Sequence, residues 1–292
     1  MTPAKLNVFF AFYPYGGNGG VSSEIPAIRT WFADTLVSIK KDERIGEIQS
    51  MNFSDTPITL TRNRSIQVAR EAGADVLIMC DSDQVPDLYV GQDAFAKPFF
   101  PSTFDFVYDH RLKGKPVVVG APYCGPPPIE CVYVFKWANW ESQSLGQDMR
   151  LEMFSREEAA GRSGIEEVAA LPTGLIMFDL KVFDLLEPPY FYYEYADKYE
   201  QEKASTEDVT CTRDLAMHGM ELTGHSPVHC NWDAWAGHMK PKCVGKPMPL
   251  TVDQVNRKYR DAVLQNRESK ERLTIIRNGD VAFAVQKAVV SG

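Results

Sequence analysis

The chain has 292 residues, 44% of them apolar and 24% charged, with a formal net charge of −8 at pH 7. A chain of this length buries a sizeable core without staples. Its composition excludes disordered, collagenous and coiled-coil classes. No apolar stretch reaches the roughly 18 residues of a membrane span, so no stable membrane insertion is expected.

The first apolar run, Leu6–Phe12, follows Lys5 and passes into Pro14 and Gly16. That is the pattern of a strand and not of a signal peptide. Tyr15–Gly20 is a glycine-rich loop, and Ile25, Ile28, Trp31, Phe32, Thr35 and Ile39 recur at helical spacing, which predicts a helix over Glu24–Lys40. Ile45–Phe53 reads as a second strand, Thr61–Ala72 as a helix stopped by Gly73, and Val76–Cys80 as a central strand covered on both faces.

Further strands are expected at Pro116–Ala121, Cys131–Phe135, Val168–Leu171 and Leu175–Phe178, the last two flanking the turn Pro172-Thr173-Gly174. A short helix is expected at Val182–Leu186 and a longer one at Glu207–His218, stopped by Gly219 and followed by an edge strand Glu221–Thr223. Thr251–Gln254 has the form of a capping box opening a helix to about Leu273. The alternation of strands and helices is that of an α/β protein with a mixed sheet flanked by helices. Residues 1–248 read as one core domain and residues 249–292 as a C-terminal helical appendage.

Charge follows the same division. Residues 249–292 hold eight Lys and Arg against five acids, a balance of +3, which leaves −11 on the rest. So acidic a body excludes non-specific nucleic-acid binding by the whole domain. The tail is either a solvated helix face or a surface that touches phosphates. Cys80, Cys124, Cys131, Cys211, Cys230 and Cys243 show no CxxC spacing. Reduced thiols and a cytoplasmic location are expected.

Asp81-Ser82-Asp83 follows the central strand directly. In an open α/β sheet ligands gather at the carboxyl ends of strands. Two carboxylates at that edge suit a hard divalent cation, Mn2+ or Mg2+, which in turn clamps a diphosphate. A DxD alone often only caps a helix; the buried strand before it is what makes this one a candidate site.

Thr61-Arg62-Asn63-Arg64 followed by Ala74–Asp83 resembles the nucleotide-binding half of GT-A fold glycosyltransferases, Rossmann-like nucleotide-diphospho-sugar transferases in which an "ARN" helix precedes a strand ending in "DSD". Leu171–Phe178 is similar to their acceptor-side glycine turn, Ser205–Asp208 to their "ED" motif, and Gly237-His238 to their late metal-binding histidine. The ordered set spans residues 6–245. Compact enzymes of this family occur in bacteria and bacteriophages. Thr61 departs from the alanine of the motif, and Asp87, four residues beyond the DSD, has no assigned role.

The resemblance implies a metal-dependent glycosyltransferase that moves a sugar from a UDP-sugar to an acceptor hydroxyl. It implies Asp81, Asp83 and His238 as metal ligands, with Asp208 as the base beside Glu207. Arg62, Asn63, Asp81 and Ser82 would hold the donor, Lys242 with Lys240 and Lys246 the diphosphate, and Tyr13, Pro14 and Tyr15 would stack on the base. Pro172, Thr173 and Gly174 would admit the acceptor. The dense aromatics at Tyr190–Tyr195, with Trp232 and Trp235, are either an acceptor platform, a core or an oligomer interface. The acceptor is open between a modified DNA base, a glycan, a protein and a lipid-linked sugar. Two alternatives stand beside this reading: a sugar-1-phosphate nucleotidylyltransferase, whose Gly-x-Gly-Thr-Arg loop is absent, and a catalytically silent glycan- or DNA-binding relative. His225, His229 and Cys230, with Cys211 or Cys243, form a further, zinc-like grouping.

Overall fold

The computed structural model describes residues 5–14, 26–54, 57–125, 131–138, 150–195 and 203–239. The appendage expected at 249–292 and its capping box lie outside these residues, as do Tyr15, Lys240, Lys242, Cys243 and Lys246. The predicted class is the observed one: a mixed α/β protein built on a seven-stranded sheet.

Three strands at one side run parallel: β1 (Leu6–Tyr13), β2 (Ile45–Asn52) and β3 (Val76–Asp81). Next comes β9 (Leu175–Asp179), antiparallel to both β3 and β5 (Val118–Gly120). Strand β12 (Val228–Asn231) pairs parallel to β5 and antiparallel to β8 (Ile165–Glu167). The reversal of β9 matters for function. It brings the turn that enters β9 to the edge where β1 and β3 end, with Cys80 opposite Leu175 and the Asp81 N–H on the Gly174 carbonyl at 2.8 Å.

Side chains alternate across the sheet and divide the core in two. Phe9, Ala11, Tyr13, Leu77, Met79, Ile176 and Phe178 pack with Ile66 and Ala69 of α2 (Ile58–Glu71) and Cys211, Leu215 and Ala216 of α5 (Glu207–Thr223). On the other face Val8, Phe10, Val76, Ile78, Leu175 and Met177 pack with Ile28, Trp31 and Ile39 of α1 (Pro26–Ile39) and with α3 (Phe99–Leu112). Helices on both faces explain why β3 is an uninterrupted apolar run.

Several local expectations are corrected. Helix α3 has no counterpart in the sequence reading. Its buried residues Phe99, Phe100, Thr103, Phe104, Val107 and Tyr108 follow a helical stripe, but aromatic residues and Pro101 lower its intrinsic propensity, and packing against the sheet overrides that. Helix α5 continues through Gly219 to Gly224, whose φ of 76° makes it the true stop, so 221–223 is the last helical turn and not a strand. Gly219 is a packing glycine: a Cβ there would stand 2.2 Å from the Pro227 ring. The strand expected at 168–171 lies at 165–167 instead, and the helix expected at 182–186 is a 3-10 helix over Leu180–Leu185. Helix α2 starts at Ile58, three residues before the expected first residue, Thr61.

Candidate active site at the carboxyl edge of the sheet

Arg62 organises the site. It is 4% exposed, and its guanidinium donates to both carboxylate oxygens of Asp81, at 3.1 and 3.2 Å. It also donates to the Thr173 carbonyl at 3.2 Å and to the Thr173 hydroxyl, and lies 3.5 Å from Glu207. Tyr13 and Phe191 flank it, 5.2 and 5.8 Å from its central carbon. Burial alone would push the guanidinium pKa down, but Asp81 and Glu207 more than reverse this and hold it charged. Arg62 thus bridges two carboxylates and the glycine turn.

Asn63 is also engaged throughout. Its carbonyl accepts from the Tyr190 and Phe191 N–H groups, and its amide donates to the Thr59 and Phe191 carbonyls. It pins the 190–191 backbone to α2 and has no group left for a nucleotide. Tyr13 is also enclosed by the protein. It is 5% exposed, its hydroxyl lies 2.7 Å from Ser65 Oγ, and its ring packs against Phe53 and under Arg62, so it presents no face to a nucleobase. Pro14 is half-buried at the end of β1, and Ser82 is buried with its N–H 3.3 Å from the Tyr13 carbonyl.

Behind Asp81 the chain turns into β4 (Gln84–Val85), which pairs antiparallel with β13 (Gly237–His238). This two-residue ladder was not foreseen. It places His238 Nε2 3.3 Å from Asp83 Oδ2, and the Met239 N–H on the Asp83 carbonyl at 2.7 Å. The ladder is close-packed at Gly237, where a Cβ would stand 2.8 Å from the end of the Leu88 side chain and 3.1 Å from Val85 Cβ. His238 Nδ1 lies 2.9 Å from the Cys124 carbonyl, which can only accept, so Nδ1 carries a proton. Asp87 now has a role: it accepts from Trp31 Nε1 at 3.0 Å and from the Phe99 N–H at 2.6 Å, anchoring the segment after β4.

With Nδ1 protonated, a neutral His238 aims the Nε2 lone pair at a carboxylate oxygen. Two lone pairs at that distance require a cation between them, either a proton or a metal. A carboxylate oxygen and an imidazole nitrogen suit Mn2+, so Asp83 and His238 fit a metal ion. Asp81 is engaged by Arg62, which donates to both of its oxygens. Among the described residues no group of three or more His, Cys, Asp and Glu is arranged to hold a metal. That includes the zinc-like grouping: the His229 ring is tilted against Phe106 and lies near His110, while Cys211 and Cys230 are buried in the apolar core.

Glu207 and Asp208 open α5 at the far side of Arg62. Glu207 is 7% exposed, and burial, together with the Asp208 charge, pushes its carboxyl up to about 7. Asp208 is half-buried; its Oδ1 accepts from the Thr206 hydroxyl at 2.6 Å. Its charge acts on Tyr123 and Tyr133, the two rings beside His238. Burial and then Arg62, in opposite senses, set Asp81, whose carboxyl ends above its usual range.

Trp232 is 2% exposed and packs edge-on against Phe154 at 5.1 Å and near Trp235 at 6.0 Å. Of the readings open for these aromatics, the structure assigns Trp232 to the core. One feature the motifs did not signal is a cavity of about 260 Å3 at the ends of β1 and β2, lined by Phe12, Phe32, Ile28, Arg29, Ser50 and Asn52. Phe12 lies opposite Cys80 in the ladder, one position before the Tyr13–Asp81 pair.

No helix among the described residues is long and apolar enough to cross a membrane. No protein-family model and no curated protein matches the chain. Among solved structures, A197 from STIV is 14% identical, with a TM-score of 0.46 over 81% of this chain and 87% of that one. GalNAc-T7, solved with UDP, GalNAc and Mn2+, is 10% identical, with a TM-score of 0.43 over 92% of this chain and 51% of that one. A putative glucose-1-phosphate thymidylyltransferase from Bacillus anthracis is 10% identical, with a TM-score of 0.38 over 88% of this chain and 95% of that one.

Proposed function

We propose that the chain is a metal-dependent glycosyltransferase of GT-A type that uses a nucleotide-sugar donor, with UDP as the nucleotide. The observation that carries this reading is the opposition of Asp83 and His238 at the carboxyl edge of the sheet. Two further His–carboxylate pairs among the described residues, His218–Glu221 and His225–Glu167, involve exposed histidines, whereas here both partners are largely buried and stand directly beyond the central strand. When bound there, Mn2+ or Mg2+ supplies positive charge to a departing diphosphate. The chain's own residues do the rest. Arg62 keeps Asp81 and the Thr173-Gly174 turn in register beside the metal pair. Asp208, half-buried and near Tyr123, takes the proton from the acceptor hydroxyl as its oxygen attacks the anomeric carbon with inversion. Glu207 sits beneath it against Arg62. The cavity between Phe12 and Phe32 offers two aromatic faces and the polar edges of Ser50 and Asn52, which suits a planar nucleobase.

The test is binding and turnover together. Titration of Mn2+ and UDP into the full chain is expected to give a metal-dependent complex, and UDP-sugar hydrolysis or transfer is expected to vanish in Asp83→Ala and to fall steeply in His238→Ala. A ligand that binds only the folded state raises its stability, by about 2.7 kcal/mol at a hundredfold excess over Kd. The Asp83→Ala chain should unfold at the wild-type midpoint without metal and gain nothing from Mn2+. Full activity of Asp83→Ala in excess EDTA would falsify the proposal. Release of pyrophosphate from a nucleoside triphosphate and a sugar phosphate would favour the nucleotidylyltransferase alternative instead.

A further inference from the structure

We infer that Gln84 and Tyr123 form the subsite that reads a hydroxyl group of the transferred sugar, an inference that rests on the donor reading above. Gln84 follows Asp83 directly and pairs with His238 in the β4–β13 ladder. Its side chain is fully buried, with 0% exposure, yet neither its amide nitrogen nor its amide oxygen has a hydrogen-bond partner among the described residues. Buried amides are almost always paired, so an orphan of this kind beside a functional edge marks a place where a partner is due.

The surroundings narrow what that partner is. A Cβ at Gly174 would stand 2.7 Å from Gln84 Nε2 and 2.7 Å from the Tyr123 hydroxyl. Glycine is what lets the amide and the phenol come together over the turn. The Tyr123 ring meets His238 edge-on at 4.9 Å, which ties the pair to the metal-ligating end of the site. Asp81, Asp208 and Asp83 all act on the same phenol. The amide offers a donor and an acceptor, and the phenol offers both as well. The esterified diphosphate of a nucleotide-sugar has only acceptors at neutral pH and would leave the amide oxygen unpaired. A cation would leave the amide nitrogen unpaired. An alcohol is donor and acceptor at once and satisfies both.

The experiment compares wild type with Gln84→Met, which keeps the length of the side chain and removes both polar atoms. UDP, UDP-glucose, UDP-galactose, UDP-N-acetylglucosamine and UDP-N-acetylgalactosamine are titrated by calorimetry in the presence of Mn2+. UDP should bind both chains within about twofold, whereas the spread of Kd among the four sugars should be about tenfold or more in wild type and shrink about tenfold in the variant. Tyr123→Phe, which loses only the hydroxyl, should shrink the spread in the same direction and serves where Gln84→Met fails to fold. An equal spread in wild type and both folded variants, with UDP binding intact, overturns the subsite and leaves the donor reading standing. A wild-type chain that binds none of the five overturns both.

Discussion

Arg62 shows how a single residue type acquires a role from its neighbours. An arginine in the helix that precedes the strand and its DSD is a reasonable phosphate ligand, since its planar fork matches phosphate geometry. The same fork matches a carboxylate, and here Asp81 and Glu207 are close enough to claim it. Removing one partner from a buried ion pair leaves an uncompensated charge and typically costs about 3–5 kcal/mol. Arg62→Met is therefore expected to lower the urea midpoint severely, and Arg62→Lys should recover little, because an ammonium cannot bridge Asp81 and Thr173 together. A loss under about 1 kcal/mol in chemical denaturation would refute the organising role. The DSD motif and His238 were legible as residue types at the residue scale. That Arg62 and Asn63 are spent on the protein itself was not, because their partners Thr173, Glu207, Tyr190 and Phe191 lie far along the chain.

At the scale of elements, α5 sets two principles against each other. Glycine inside a helix costs about 1 kcal/mol relative to alanine, so Gly219→Ala would stabilise an isolated helix. In the fold the new methyl group would stand 2.2 Å from the Pro227 ring, which belongs to the stretch leading into β12 and cannot swing away as a flexible chain end could. Overpacking of this kind costs about 1–3 kcal/mol, and the net effect should be a lower thermal midpoint for Gly219→Ala. An unchanged or higher midpoint would show that α5 and β12 have room to separate. The same glycine explains why the sequence suggested a helix stop: Gly219 and Gly224 look alike along the chain, and only φ and packing tell them apart. The β4–β13 ladder is a stronger case. Two residues on each side form no recognisable strand pattern, yet their pairing is what brings His238 to Asp83. Aromatic-rich α3 was invisible for a related reason, since its helicity depends on the sheet it covers.

For the molecule as a whole, buried titratable groups make stability depend on pH in two directions. His229, its ring tilted against Phe106 where β12 meets α3, is held neutral by burial, which pulls its pKa down from 6.5 to about 4. Its contribution is complete above 6.5 and is lost as pH falls toward 4, by an amount on the order of 3 kcal/mol. Replacement by phenylalanine should flatten the acid limb of the stability curve between those values; an acid limb identical to wild type would exclude His229 as its source. Glu207 works in the opposite sense. Its carboxyl is raised from 4.5 to about 7, so the fold favours its protonated form and loses stability as pH climbs through that interval. Glu207→Gln should remove that part of the alkaline decline, as read from thermal midpoints at pH 5 and pH 8. The sequence alone determined the α/β class, the central strand and the carboxylates at its end, because these follow from hydrophobic periodicity and from residues adjacent in the chain. The tertiary structure decided which side chains face each other across the edge. Strand β9 runs against its neighbours and delivers the glycine turn to Asp81, and a short distant ladder delivers His238 to Asp83. Such juxtapositions arise from how the sheet is ordered and packed between its two helical layers, and local sequence carries no record of that order.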